Sequence, residues 1–107
     1  MKVLILLSFF YLVSSSLMAL EVDEKLTLRI LNTSATKKTI LINRGIEDGL
    51  VIGDNAKFFL TEGVVARGEL IKASPSRSVW SLYRISLADK ISNNEVLNLK
   101  ITNSLKT

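Results

Sequence analysis

The sequence predicts an all-β fold, a small six-stranded and partly closed β-barrel that follows an N-terminal signal peptide. Three observations lead there. Short stretches that alternate apolar and polar residues recur about every 8–12 positions, with Gly, Pro, Asn or Asp turns between them. Beyond the leader, no segment sustains a helical period over about 11 residues. Taking nineteen leader residues from 107 leaves 88, enough for one domain and too few to cover both faces of a sheet with helices. Closure of the sheet on itself is the economical solution.

The leader is Met1 to Ala19, MKVLILLSFFYLVSSSLMA. Lys2 supplies the positive start, Val3 to Val13 the apolar run, and Ala19 a small residue at the cleavage position, the pattern of a secretory signal. The apolar run falls short of the roughly 20 residues a spanning helix needs, and three serines interrupt its continuation. Cleavage after Ala19 is therefore expected, with no lasting membrane span and a periplasmic or secreted product. The chain has no cysteine, so neither a lipid-modified cysteine at the boundary nor a disulfide is available, and packing alone must hold an exported domain together.

The expected barrel spans residues 20–102. Lys25 to Leu31 is the first strand, its Leu26, Leu28 and Ile30 alternating with Thr27, Arg29 and Leu31. Thr39 to Asn43 is the second, rich in β-branched residues. The segment Arg44 to Asp54 carries glycine at every fourth position, Gly45, Gly49 and Gly53. Asp48-Gly49 and Gly53-Asp54 are turn dipeptides. A short helical turn is expected over Ile46 to Asp48, with Leu50 and Ile52 tucked beneath it. Asn55 to Thr61 is the third strand, Glu62-Gly63 a hairpin turn, and Val64 to Ala73 the fourth strand, in which Gly68 marks a bulge or bend. Ser74-Pro75-Ser76-Arg77 breaks the chain at its only proline. Ser78 to Ser86 is the fifth strand. A connector over Leu87 to Ile91 and a turn at Asn93-Asn94 lead to the sixth, Glu95 to Thr102, and a frayed tail is expected over 103–107.

From Thr39 to Ser86 the chain resembles small β-domains of the bacterial envelope. A strand ends Asn43-Arg44-Gly45, a turn reads Asp48-Gly49-Leu50-Val51-Ile52-Gly53-Asp54, and a later strand holds Gly68 at its bend. The C-terminal domain of the flagellar assembly protein FlgT and the β-domains of the rod-shape protein MreC are similar. The resemblance implies a small barrel in which Gly45, Asp48, Gly49, Gly53, Asp54 and Gly68 build a structural corner and no active site. Fold likeness does not carry function with it.

Composition narrows the chemistry. Histidine is absent along with cysteine, which removes Ser-His-Asp and Cys-His catalysis and the usual zinc and copper donors. Glu47 and Asp48 are adjacent carboxylates with no base or nucleophile near them in sequence, and they suit the start of a helical turn. Asp48 and Asp54 do not have calcium-loop spacing. The three glycines enter a strand, whereas a phosphate loop needs Gly-Lys-Ser/Thr entering a helix. No cofactor, metal site or enzymatic activity is expected. Without Lys2 the net charge is +3, and the basic residues are scattered along the chain, which speaks against a nucleic-acid partner.

Trp80 and Tyr83 are an odd number of positions apart, so a regular strand sends them to opposite faces. One should enter the core beside Phe58 or Phe59. The other either lies outside, near Arg67, Arg77 or Arg84, the composition of a binding hot spot, or packs in the barrel as well, as aromatics of this size mostly do. Arg67, Arg77, Trp80, Tyr83 and Arg84 are the candidate interaction surface. The expected function is that of a non-enzymatic structural or protein-interaction module of the cell envelope, with another envelope protein as partner and an open sheet edge as a second docking route. The alternative is a binding module for an anionic envelope polymer or glycan.

Overall fold

The computed structural model describes Leu20 and residues 24–103. The expected leader over residues 1–19 and nearly all of the expected tail lie outside the described residues. Six strands form, β1 (Lys25–Thr33), β2 (Thr39–Ile42), β3 (Asn55–Leu60), β4 (Gly63–Ala73), β5 (Ser78–Ile85) and β6 (Val96–Thr102). Two short 3-10 turns, Ile46–Asp48 and Ala88–Lys90, interrupt the connections. Every expected strand is present, with its ends displaced by no more than two residues.

All neighbours are antiparallel, and the order β1-β2-β5-β4-β3-β6 returns to β1. The barrel is closed, where the sequence led us to expect partial closure. Closure pairs the main-chain groups that an edge would expose, so the expected docking route by strand addition is lost. The closing element is β2, four residues long, whose Ile40 faces Trp80 of β5 and whose Ile42 faces Ile30 of β1.

The alternation seen in sequence becomes the division between inside and outside. Leu28 and Ile30, Ile40 and Ile42, Ala56 and Phe58, Ala66 and Leu70, Trp80 and Leu82, and Leu97, Leu99 and Ile101 point inward and are buried. Burying a side chain of this kind is worth about 1.5–3 kcal/mol, and these inward rows are what a small barrel has to offset its chain entropy. Each end of the barrel is sealed from a connector. Leu50 enters from the β2–β3 corner and Ile91 from the β5–β6 connection, and both are buried. Ile52, expected to lie beneath the same corner as Leu50, is 62% exposed. Gly53 donates its N–H to the Leu70 carbonyl, which ties the chain to β4 and leaves the preceding side chain outside. Leu20 packs against the core beside that corner and donates its N–H to the Gly49 carbonyl at 2.8 Å.

Candidate binding surface

At the β2–β3 corner the acidic side chains bond to the main chain around them. Gly45 donates its N–H to Asp48 Oδ2 at 2.9 Å, and Asp48 Oδ1 pairs with Arg44 at 3.3 Å. Val51 N–H donates to Asp54 Oδ2 at 2.9 Å. Both carboxylates are thus engaged in fixing the turn. Gly49 and Gly53 have φ of 89° and 95°, values that favour glycine. Gly68 faces inward, and a Cβ there would meet the Ser81 carbonyl at 2.8 Å and a Leu82 methyl at 2.9 Å. Opposite it, Arg67 pairs with Arg84 while Gly68 pairs with Leu82. Tyr83 is the extra residue of a bulge, at the bend that Gly68 announced.

The expected interaction surface divides. Trp80 is fully buried, its ring edge-on to Phe58 with centroids 5.2 Å apart, and its Nε1 donates to Ser78 Oγ at 2.9 Å. Trp80 therefore leaves the surface, because its size is needed to fill the barrel's axis. Tyr83 is the outward aromatic, as the odd spacing required. Its hydroxyl donates to Asn55 Oδ1 at 3.2 Å, reaching across β4 to β3. Arg77 lies in the β4–β5 turn beside Ser74, six residues of β4 beyond Arg67 in register, roughly 20 Å away. Arg67 and Arg84 remain, facing each other as cross-strand partners on the outside of the barrel.

The register extends that pair. Lys25 on β1 pairs with Lys100 on β6, Lys100 with Lys57 on β3, Lys57 with Arg67 on β4, and Arg67 with Arg84 on β5. Five cations thus stand side by side on five of the six strands. Leu99, Ala56 and Ala66, next to Lys100, Lys57 and Arg67, are buried, Leu26 beside Lys25 packs against the core, and Lys25 and Arg84 are exposed, which puts the row on the outer face. The scatter of basic residues along the sequence is gathered into a row by the fold. The sequence reading missed Lys25, Lys57 and Lys100. Each occupies an outward position of its strand, which was readable; which strands lie side by side, and in what register, was not.

Phe59 lies next to this row on the same outer face as Lys57. The Lys57 and Lys100 ammonium groups lie 5.6 and 5.5 Å from its ring centroid, within reach of a cation–π attraction. Glu69 lies one outward position beyond Arg67, paired in register with Asn55 and Ser81, and Glu24 precedes Lys25 in the chain. The ion pairs Arg44–Asp48 and Lys90–Glu62 lie off the row. Among the described residues no three His, Cys, Asp or Glu side chains gather as metal ligands would, and no helix is long and apolar enough to cross a membrane. Comparison with protein-family models, with curated proteins and with solved structures returned no match.

Proposed function

We propose that this protein is an exported, non-enzymatic binding module of the cell envelope, which holds an anionic envelope polymer on the outer face of its barrel. One observation carries the reading: five cations in register across five strands. Like charges directly opposite one another on a sheet destabilise it by tenths of a kcal/mol to about 1 kcal/mol per pair. Four such pairs in succession are an arrangement that folding alone disfavours and an anionic ligand would reward. Export is supported by the leader-like Met1 to Ala19 and by the resemblance of Thr39 to Ser86 to envelope β-domains such as those of FlgT and MreC. The lack of histidine and cysteine supports a role without catalysis.

The test is binding of the purified mature chain to linear polyanions over a salt series. Affinity should fall steeply as ionic strength rises, since exposed charges are screened beyond about 8 Å at physiological salt. Absence of binding at low salt, or binding indifferent to salt, refutes the reading. Export is tested separately by the intact mass of native material, expected to begin at Leu20.

A second reading, a structural or protein-interaction module with another envelope protein as partner, draws on a different surface. Ile46, Val51 and Ile52 at the β2–β3 corner are 55%, 50% and 62% exposed. Proximity labelling in the native cell, compared between the wild type and Ile52→Lys, distinguishes the two. Loss of a specific neighbour in the variant favours the protein partner; an unchanged set of neighbours favours the polymer.

A further inference from the structure

We infer that the ligand of this cationic row is a flexible, linear polyanion without aromatic bases, and that it binds by winding around the barrel. The inference rests on the polymer-binding reading above and specifies the shape and chemistry of what is bound.

The shape follows from register. Lys25 is the first residue of β1, at the end of the barrel where the β2–β3 corner sits. Arg84 is next to last in β5, at the opposite end, where the chain runs on into Ala88–Lys90. Between them Lys100, Lys57 and Arg67 step strand by strand. Strands in a closed barrel tilt against its axis, so a row running from partner to partner climbs as it turns. Five adjacent strands out of six occupy about two thirds of the circumference. At roughly 4.8 Å between strands, the four steps cover about 19 Å along the sheet. The row is a helical belt, and β2 is the gap in it.

A flat anionic surface or a stiff duplex touches one side of such a barrel and meets two or three of the cations. Only a chain that bends around the barrel meets Lys25 and Arg84 together. A small anion meets one or two. The belt therefore selects for a flexible chain with repeated charge.

The aromatics select against nucleic acid. Proteins that bind single strands supply open aromatic faces on which bases stack. The ring on this belt, Phe59, already has two ammonium groups on it, and Tyr83 is held by Asn55. Those lysines are offered to an anion, and the ring serves to place them. Phosphate and carboxylate repeats share the chemistry the belt reads.

The experiment uses the mature chain, Leu20 to Thr107, with linear polyphosphate and polygalacturonate of graded length, and with oligo-dT of matched charge. Three variants are compared at low salt: Lys25→Gln and Arg84→Gln at the two ends, and Lys72→Gln off the belt. Circular dichroism confirms that each is folded. Either polymer, once long enough to span about 19 Å, should lose affinity about fivefold with each end variant, the worth of one surface cation against an anionic surface. Lys72→Gln should change little. Chains of two or three charges should bind weakly and respond to at most one end variant. The preferred polymer identifies the charged group as phosphate or carboxylate.

If long chains respond to one end variant and not the other, the ligand sits on one side and winding is wrong. If oligo-dT binds more tightly than both polymers and Phe59→Leu abolishes that binding, the site stacks bases and the ligand class is wrong. If no polyanion binds at all, the polymer-binding function itself fails.

Discussion

Ser78 shows how few polar atoms this barrel admits and how strictly each is used. Its side chain is buried among the core residues, 2% exposed. Its hydroxyl donates to the Arg44 carbonyl at 2.7 Å and accepts from Trp80 Nε1 at 2.9 Å. One oxygen therefore satisfies the indole N–H of the largest core side chain and ties β5 to the residue that begins the corner. Ser78→Ala leaves both partners without their bond. Unfolding in urea should show a loss of about 1–3 kcal/mol, the cost of stranding buried polar groups; a loss under about 0.5 kcal/mol would mean that water replaces the hydroxyl. Thr102 is the opposite case. Its Oγ1 is buried with no hydrogen-bond partner among the described residues. Thr102→Val keeps the shape and removes the stranded oxygen, so stability should rise by about 1 kcal/mol, read as a higher urea midpoint at unchanged slope.

The corner between β2 and β3 is the element on which closure depends, because it carries the chain from the shortest strand into the sheet's other half. It is held against the β4–β5 turn by two main-chain bonds, Ile46 N–H to the Ser74 carbonyl at 3.0 Å and Glu47 N–H to the Pro75 carbonyl at 2.9 Å. Gly45 permits that approach. A Cβ there would run into the Ser74 carbonyl oxygen and lie 2.6 Å from Arg77 N, both main-chain atoms with little freedom to move. Gly45→Ala should cost about 3 kcal/mol, the upper end for forced overpacking. Gly53→Ala, where a Cβ meets nothing within 4 Å but φ is 95°, should cost about 1–2 kcal/mol for the left-handed backbone alone. Thermal melts of the two variants test that order, and equal losses would show that the close approach is not what Gly45 provides.

The same corner marks how far the sequence could be read. Glycine spacing and Asp-Gly turns announced it, alternation announced all six strands, and the odd spacing of Trp80 and Tyr83 put them on opposite faces. These are local signals, each contained within a few residues. That Ile52 would be left outside depended on a hydrogen bond to Leu70, and that Trp80 would be the inward ring depended on the volume of the closed barrel. The cationic row is less local still. It needs β6 to lie between β1 and β3, a pairing of strands that are far apart in the chain, and nothing within any one strand specifies that order.

At the scale of the whole molecule, the belt sets stability against binding. Lys57 stands at its centre, with Lys100 on one side and Arg67 on the other. Lys57→Glu converts two like-charge cross-strand pairs into opposite-charge pairs, each worth tenths of a kcal/mol to about 1 kcal/mol. The variant should melt several degrees higher, since about 1 kcal/mol moves a domain of this size by roughly 4–8 °C, and it should lose affinity for polyanions by more than any single neutral variant. Salt gives the independent check. The screening length falls from about 30 Å at 0.01 M to about 8 Å at 0.15 M, which weakens repulsion along the belt, so the wild-type melting temperature should climb over that range. Lys57→Glu should climb less or fall, because salt then screens attraction as well. A variant that is less stable than the wild type at low salt would show that Lys57 is held by its packing over Phe59 more than it is repelled by its neighbours, and the strain assigned to the belt would be absent.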